Sequence, residues 1–413
     1  MSFDSFNLSK QITKAIVKSN YTKATPIQES VIPHILTGDD IMAKAQTGSG
    51  KTASFVLPIL EMWLKNPILK KKKIKALILT PTRELTIQVA NSFKLFSEFL
   101  PYPPKVVSVI GGEEIGKQLL AIQKGCDIVV ATSGRLLDIL GKNQIDLKHI
   151  DYFILDEADK MLDLGFAEEL DSILEAIPTK RQNLLFSATY PPKMVSIASK
   201  ITKEAVKITI ENEMPTVQNI TQRVIEVNKE NRSALLRHIL KINKFDQVLV
   251  FMANKRACDN IAVKFRKHGL LAESFHGDLT QDDREYTLQE FKDKKIKILF
   301  ATDIASRGLH IDDISCVINF DLPRGVADYI HRIGRTGRAG KVGTAISFIS
   351  HEDREHFSLI QKRAKIDVTV EQIEGFELTG KPIEKQKGKA PIKGKRKSKK
   401  DKLREINSKE NKY

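Results

Sequence analysis

Short runs of apolar residues recur along the chain, and each run is followed by a turn and a helix-length segment. The runs are apolar at nearly every position, which is typical of strands that lie buried on both faces of a parallel sheet. This alternation predicts the α/β class, with parallel sheets flanked by helices. The runs form two series, one at 41–43, 76–79, 106–110, 128–130, 152–155 and 184–186 and the other at 248–251, 296–300, 317–320 and 345–348.

The two series predict two domains of similar size. A polar segment with a proline separates them, and we place the linker at 206–217, between a first domain at 1–205 and a second at 218–379. Residues 380–413 are rich in lysine and almost free of large apolar side chains. Such a segment cannot bury a core, so the sequence predicts a disordered basic tail.

The positive charge of the chain is concentrated in that tail. The net charge is +16, and residues 381–413 hold 14 Lys/Arg and 4 Asp/Glu, a net of +10, which leaves +6 for the other 380 residues. A basic balance favours a polyanion such as nucleic acid as partner.

Three isolated cysteines, Cys126, Cys258 and Cys316, fit no zinc spacing and indicate buried thiols in a reducing compartment. No apolar run approaches the roughly 20 residues that span a bilayer, and the N-terminus lacks the features of a signal peptide. We therefore expect a cytoplasmic protein without a membrane partner.

A glycine-rich loop between a strand and a helix has the character of a phosphate-binding loop. Glycines allow the backbone N–H groups to wrap a phosphate, and the helix N-terminus adds partial positive charge. Lys51 can reach the β and γ phosphates, and the Thr52 hydroxyl can ligate Mg²⁺. Ala45 stands where the strict pattern has its first glycine, and the alternative is a chance glycine-rich turn. The loop reads Ala45, Gln46, Thr47, Gly48, Ser49, Gly50, Lys51 and Thr52.

Two carboxylates come directly after the apolar run 152–155. In open α/β sheets the carboxyl ends of the strands face the crevice where nucleotides bind. We expect Asp156 to hold Mg²⁺, directly or through water, and Glu157 to orient and polarise the attacking water. Taken alone, the segment 156–159 could instead be an acidic helix N-terminus that is stabilised by the helix dipole.

Together with the segments that follow, these motifs resemble the DEAD-box RNA helicases of superfamily 2, up to about residue 350. The chain is most similar to small bacterial members with a minimal core and a basic tail. The resemblance implies two tandem RecA-like domains, ATP and Mg²⁺ as ligands, and a monomer that binds RNA through its backbone with little sequence preference.

The resemblance also assigns residues to the nucleotide. Within 24–28 (Ala-Thr-Pro-Ile-Gln), Gln28 would read the adenine edge. Phe3 stands where the family has an upstream aromatic residue that stacks on the base, and Tyr21 would lie near the same nucleotide site. Asp303 would hold the ribose. From the segment 331–338, the resemblance implies catalytic roles for His331 and for the arginine fingers Arg335 and Arg338. The motif that couples hydrolysis to unwinding would consist of Ser187 and Thr189 with Asp159.

The RNA contacts that the resemblance implies use hydroxyls, guanidinium groups and backbone N–H groups, which bind phosphates without reading bases. Ser133 stands where the family usually has proline, so no ring fixes the backbone φ at this position. The expected RNA-binding residues are Thr82, Arg83, Gly111, Gly112, Thr132, Arg135, Arg284, Thr302, Arg307 and Gly308.

The catalytic residues are divided between the two halves, so the sequence predicts that hydrolysis requires domain closure. Because ATP and RNA would each favour the closed state, their binding should be cooperative. Two alternatives remain open at this point. One is an ATP-gated RNA clamp that acts as a scaffold and needs the same pocket, and the other is a DNA helicase.

Overall fold

A computed structural model describes residues 2–45, 48–66, 73–210, 220–306, 314–337 and 342–380. These residues form two seven-stranded parallel sheets, each flanked by helices, which confirms the predicted α/β class and its tandem arrangement. Within these ranges, no helix has both the length and the apolar character needed to cross a bilayer.

The first sheet has the strand order β3-β4-β2-β5-β6-β1-β7. Its strands are β1 (Ile41–Lys44), β2 (Ala76–Leu79), β3 (Val106–Val109), β4 (Ile128–Ala131), β5 (Tyr152–Leu155), β6 (Gln182–Ser187) and β7 (Val206–Thr209). The helices around it are α1 (Lys10–Lys18), α2 (Pro26–Thr37), α3 (Lys51–Lys65), α4 (Arg83–Phe96), α5 (Ile115–Gln123), α6 (Ser133–Gly141), α7 (Ala158–Asp163), α8 (Ala167–Ala176) and α9 (Pro192–Ile201).

The second sheet has the order β10-β11-β9-β12-β13-β8-β14. Its strands are β8 (Ile220–Glu226), β9 (Val248–Phe251), β10 (Ala272–Phe275), β11 (Ile298–Ala301), β12 (Cys316–Asn319), β13 (Gly343–Ile349) and β14 (Val370–Glu371). The helices around it are α10 (Arg232–Ile242), α11 (Lys255–Lys267), α12 (Gln281–Lys292), α13 (Asp303–Ser306), α14 (Val326–Ile333) and α15 (Arg354–Ala364). Short 3-10 helices lie at Phe3–Phe6, Lys229–Asn231 and His351–Asp353.

Alternate residues of each strand pack on opposite faces of its sheet. Along β2, Ile78 joins a cluster with Phe55 and Phe186, whereas Leu77 joins the cluster of Phe153 on the other face. This two-sided burial explains why central strands such as β2 and β9 are apolar at every position. All three cysteines are buried free thiols, as predicted.

The start of the predicted linker lies inside the first sheet. Residues 206–209 form β7, which pairs in parallel with β1, with Val206 opposite Ile41. The segment alternates apolar and polar residues, as a half-buried edge strand does, and only its pairing with β1 distinguishes it from a linker. The linker residues 211–217 and the tail 381–413 lie outside the described residues. The other domain boundaries stay predictions.

Candidate active site

The phosphate loop, the candidate Mg²⁺ carboxylate and the first coupling residue lie along one half of the carboxyl edge of the first sheet. The phosphate loop follows β1, Asp156 follows β5, and Ser187 ends β6. These three strands are neighbours in the order β5-β6-β1. The segments expected to bind RNA follow β2, β3 and β4, which form the other half of the same edge.

The phosphate loop has the backbone that close wrapping of a phosphate requires. Gly48 and Gly50 have φ values of +85° and +95°, a region that glycine adopts without strain. Lys51 begins α3, is 6% exposed, and donates from Nζ to the Ala45 carbonyl at 2.6 Å. Gln46 and Thr47 lie outside the described residues.

A cleft of about 170 Å³ opens beside this loop. Its residues include Gly48, Gly50, Lys51, Thr52, Asp156 and Glu157 from the predicted nucleotide site, with Tyr21 and Phe96 at one side. The structure thus brings the loop, the candidate Mg²⁺ ligands and one predicted aromatic residue together. Ser49 belongs to the same loop.

Gln28 holds the phosphate loop in the present arrangement. Its Oε1 accepts from the Thr25 backbone N–H at 2.9 Å, and its Nε2 donates to the Gly50 carbonyl at 3.1 Å. The side chain is 1% exposed. A Cβ at Gly50 would lie 2.6 Å from Gln28 Nε2, so this contact requires glycine. The adenine-reading role of Gln28 stays a prediction.

The two predicted aromatic residues occupy different places. Tyr21 lines the cleft and packs edge-on against Phe96, with ring centroids 5.5 Å apart. Phe3 is 5% exposed and lies against Tyr21, with centroids 6.3 Å apart. In this arrangement Tyr21, rather than Phe3, presents a ring to the cleft.

Asp156 and Glu157 are both buried at the end of β5, with 1% and 4% exposure. Burial raises the pKa of Asp156 to about 6, although the positive charge of Lys51 opposes this. Burial also disfavours ionisation of Glu157, yet Lys160, Lys51 and Arg335 together hold its pKa below the ordinary value. The Lys160 Nζ lies 2.8 Å from Glu157 Oε1.

One oxygen of Glu157 is left for a reactant. Its Oε2 is buried and has no hydrogen-bond partner among the described residues, because Lys160 engages only Oε1. The residue has a φ of +51°, which turns the chain from β5 into α7 and lets its side chain reach the cleft. A free oxygen on an ionised carboxylate is the group that a general base requires.

The three coupling residues form one hydrogen-bonded group. Asp159 Oδ2 accepts from the Thr189 backbone N–H at 2.9 Å and from its hydroxyl at 2.8 Å. The Ser187 Oγ accepts from the Asp159 N–H at 3.2 Å and donates to the Thr189 carbonyl at 2.7 Å. These contacts fix α7, and with it Glu157, relative to β6.

The second half of the chain brings positive charge to Glu157. Arg335 is 6% exposed and close enough to help lower the pKa of Glu157. Burial, and to a smaller extent the charges of Lys160 and Arg335, lower the pKa of His331 to about 4. The imidazole is therefore neutral at neutral pH. Arg338 lies outside the described residues.

Asp303, expected to hold a ribose, forms a bidentate ion pair with Arg332. Its Oδ1 lies 2.6 Å from Arg332 Nε, and its Oδ2 lies 2.7 Å from Nη2. Arg332 also donates to Asn319 Oδ1 and to the Asp321 carbonyl, and it is 3% exposed. The ribose contact of Asp303 stays a prediction.

The expected RNA contacts of the first half come together in three adjacent loops. Arg83 lies against Gly111 and Gly112, and a Cβ at Gly112, where φ is +82°, would overlap its guanidinium. The Arg135 guanidinium donates to the Glu113 carbonyl at 3.1 and 3.2 Å. Two threonines begin the helices of this edge, Thr82 for α4 and Thr132 for α6.

In the second half, Arg284 makes a contact that the sequence did not predict. It pairs with Glu84 of the first half and also donates to the His276 carbonyl at 3.1 Å. Thr302 follows β11 and is 9% exposed. Arg307 and Gly308 lie outside the described residues. The RNA contacts of this half stay predictions.

Sequence reasoning missed four charged residues at the site, namely Glu84, Lys160, Arg332 and Glu169, whose Oε2 accepts a hydrogen bond from the Ser133 hydroxyl. Glu84, Glu169 and Arg332 each pair with a residue that is distant in sequence. Lys160 pairs with Glu157, three residues before it. For Lys160, the spacing of three residues from Glu157 on a short helix was the available signal. The other three pairings carry no local signal.

Comparisons with known proteins agree with this geometry. Residues 25–197 match the family model described as DEAD/DEAH box helicase, and residues 231–340 match the helicase conserved C-terminal domain. The DEAD-box ATP-dependent RNA helicase CshA of Bacillus subtilis is 40% identical over 365 residues, which cover 88% of this chain and 73% of CshA. The probable ATP-dependent RNA helicase MJ0669 of Methanocaldococcus jannaschii is 42% identical over 371 residues, which cover 89% of this chain and 97% of that protein.

The fold is similar to that of a helicase bound to both ligands. Dbp5 of S. cerevisiae, bound to RNA and ADP BeF3, superposes with a TM-score of 0.79 at 29% identity, over 90% of this chain and 95% of that chain. The two parallel sheets are therefore the tandem RecA-like domains that the sequence implied. With its motifs, its fold and these relatives in agreement, the chain belongs to the DEAD-box family of RNA helicases.

Proposed function

We propose that the chain is an ATP-dependent RNA helicase that hydrolyses ATP when its two domains close on ATP and single-stranded RNA. The observation that carries this proposal is the division of the catalytic groups. The phosphate loop, Asp156 and Glu157 belong to the first half, whereas Arg335 comes from the second and yet acts on the pKa of Glu157. Hydrolysis then depends on the approach of the two domains.

The polar groups of the cleft fit Mg²⁺ and a nucleoside triphosphate. The Thr52 hydroxyl and the Asp156 carboxylate are oxygen ligands of the kind that Mg²⁺ prefers, and Asp156 is 1% exposed. When bound, Mg²⁺ neutralises charge on the β and γ phosphates. Burial raises the pKa of Asp156 only to about 6, so at neutral pH its carboxylate is mostly ionised and could hold the cation.

This chain's own residues then perform the remaining steps. Lys51 exchanges its hydrogen bond with the Ala45 carbonyl for the β and γ phosphates. Glu157 accepts a proton from the attacking water through its free Oε2. Arg335, with Arg338 as a predicted second finger, neutralises charge on the γ-phosphoryl group. Such arginine fingers contribute roughly 10³–10⁵ in rate in P-loop enzymes.

RNA would bind across the loops of Arg83, Gly112 and Arg135. Guanidinium groups and backbone N–H groups contact phosphates, so the preference among RNA sequences should be slight. We infer that the closed groove accepts one strand, bends it and excludes a continuous duplex, so that short duplexes are opened locally. A monomeric state and a cytoplasmic location are part of the same proposal.

Phosphate release with and without single-stranded RNA tests this function. We expect RNA to stimulate release in the wild type, and Lys51→Ala to abolish it while basal RNA binding survives. ATP-dependent RNA retention without stimulated hydrolysis would contradict the proposal and favour the clamp. Stimulation by DNA equal to that by RNA of the same sequence would favour a DNA helicase.

A further inference from the structure

Position 133 has a backbone suited to proline but carries serine. Ser133 is the first residue of α6, and Thr132 before it is extended, with φ −85° and ψ 141°. Proline is favoured at the first helical position, where its missing N–H costs nothing, and it requires an extended residue before it. A serine leaves φ free, so another contact must hold this turn in place.

The structure contains such a contact. The Ser133 hydroxyl donates to Glu169 Oε2 at 2.5 Å, and Ser133 is 1% exposed. The other oxygen of Glu169, Oε1, lies close to Gly134, because a Cβ built on that glycine would be 3.9 Å from it. Hydrogen bonds to an ionised carboxylate are shorter and stronger than neutral ones. The carboxylate therefore anchors the first turn of α6.

Glu169 connects this turn, through α8, to α7, the short helix that follows Glu157. It lies in α8, which is separated from α7 by the three residues Leu164–Phe166. α7 begins directly after Glu157 and carries Asp159. The anchored turn contains Thr132 and Arg135, two of the expected RNA contacts. The hydrogen bond between Ser133 and Glu169 thus joins the first turn of α6 to the helix that follows α7 along the chain.

We propose that Ser133 and Glu169 are positioning residues for RNA binding, whose hydrogen bond fixes the turn 132–135 as proline would. The inference rests on the proposed function, because it assumes that this turn contacts RNA. Removing either partner frees the turn, and removing Glu169 also leaves the buried Ser133 hydroxyl without its hydrogen bond. Neither residue lines the nucleotide cleft, so ATP binding in the absence of RNA should be unaffected.

The experiment compares Ser133→Ala, Glu169→Ala, their combination, Ser133→Pro, and Ser133→Pro with Glu169→Ala. Glu168→Ala is the matched control, since Glu168 is the neighbouring exposed carboxylate of the same helix. The measurements are the dissociation constant of a single-stranded RNA in the presence of a non-hydrolysable ATP analogue, and KM and kcat for RNA-stimulated hydrolysis.

We expect each alanine variant to raise the RNA dissociation constant and KM about fivefold, with kcat and the KM for ATP within about twofold. The double alanine variant should be no worse than either single one. Ser133→Pro should bind RNA as the wild type does and should make Glu169→Ala harmless.

An equal loss from Glu169→Ala in the serine and proline backgrounds would overturn the inference, as would an equal loss from Glu168→Ala. Because Ser133→Pro retains the helix start, it decides the question even if an alanine variant folds poorly. Wild-type protein that binds RNA but shows no stimulated hydrolysis would refute the proposed function, and the binding constants alone would then decide this inference.

Discussion

Glu84 of the first domain and Arg284 of the second form a buried ion pair, with Arg284 Nη2 at 2.5 Å and Nε at 2.6 Å from Glu84 Oε1. Their side chains are 9% and 5% exposed. Glu84 follows Arg83, so the pair lies beside the expected RNA path. Two side chains from different domains can pair in this way only when the domains are closed.

Neutralising one partner should weaken closure, because a buried charge without its partner costs several kcal/mol. We expect Glu84→Gln to lower RNA-stimulated hydrolysis at least tenfold at subsaturating RNA, and the exchange Glu84→Arg with Arg284→Glu to restore part of it. Asp171→Asn, which breaks an exposed pair with Lys200 at 3.5 Å, is the control and should have no effect. If the exchanged variant lost as much activity as the single substitutions Glu84→Arg and Arg284→Glu together, the role of the pair in closure would be contradicted.

Glu157→Gln should retain ATP binding but stall hydrolysis. The amide cannot take a proton from water, whereas the phosphate loop and Asp156 are unchanged. The closed state would then persist, so RNA should dissociate more slowly in ATP than in ADP. The measurement is the RNA off-rate with each nucleotide, and an off-rate that ATP leaves unchanged would contradict the closure model.

Gln28→Ala should weaken ATP binding by roughly tenfold, because the Gly50 carbonyl and the Thr25 N–H both lose a buried partner. We also expect the preference for ATP over GTP to become smaller in this variant, because no side chain would then read the adenine edge. Equal losses for ATP and GTP would restrict Gln28 to the phosphate loop. Gln118→Ala, which removes the amide that holds Ile110 on the RNA side, is the control and should leave ATP affinity intact.

Asp156→Asn should stabilise the nucleotide-free protein at neutral pH. The folded-state pKa of about 6 lies above the ordinary 3.8, so ionisation of this carboxyl reduces stability as pH rises from about 4 to 6. A shift of this size corresponds to at most about 3 kcal/mol at pH 7.5, and to almost nothing near pH 4. The difference in the free energy of unfolding between the two proteins is measured by denaturant unfolding in the presence of a chelator at both pH values. A stabilisation that is equal at both would show that charge burial is not its cause.

Deletion of 381–413 should reduce the salt dependence of RNA binding. The segment holds 14 Lys/Arg, and each neutralised phosphate of a single strand contributes about −0.7 to the salt slope. If a third to a half of them engage RNA, the slope should shrink by roughly 3–5 units, and affinity should fall at least tenfold for any sequence. The maximal ATPase rate should barely change. Identical slopes for the truncated and full-length proteins would mean that the tail serves only solubility.

The sequence by itself determined the fold class, the tandem order of the two sheets and the positions of the phosphate loop and of Asp156 directly after strands. These features depend on local patterns, since a run such as 76–79 is apolar whatever it packs against. The phosphate loop and Asp156 could be assigned for the same reason. Edge strands were missed where polar residues interrupt the apolar pattern, as at β10, whose Glu273 and Ser274 face partly outward.

Only the tertiary structure decided which polar and charged side chains meet. Arg284, whose RNA contact stays a prediction, also pairs with Glu84, 200 residues away. Asp303 pairs with Arg332, and Ser133 with Glu169. Such pairs depend on the distance between side chains in the folded chain and on their loss of water, and neither quantity has a periodic signature in sequence.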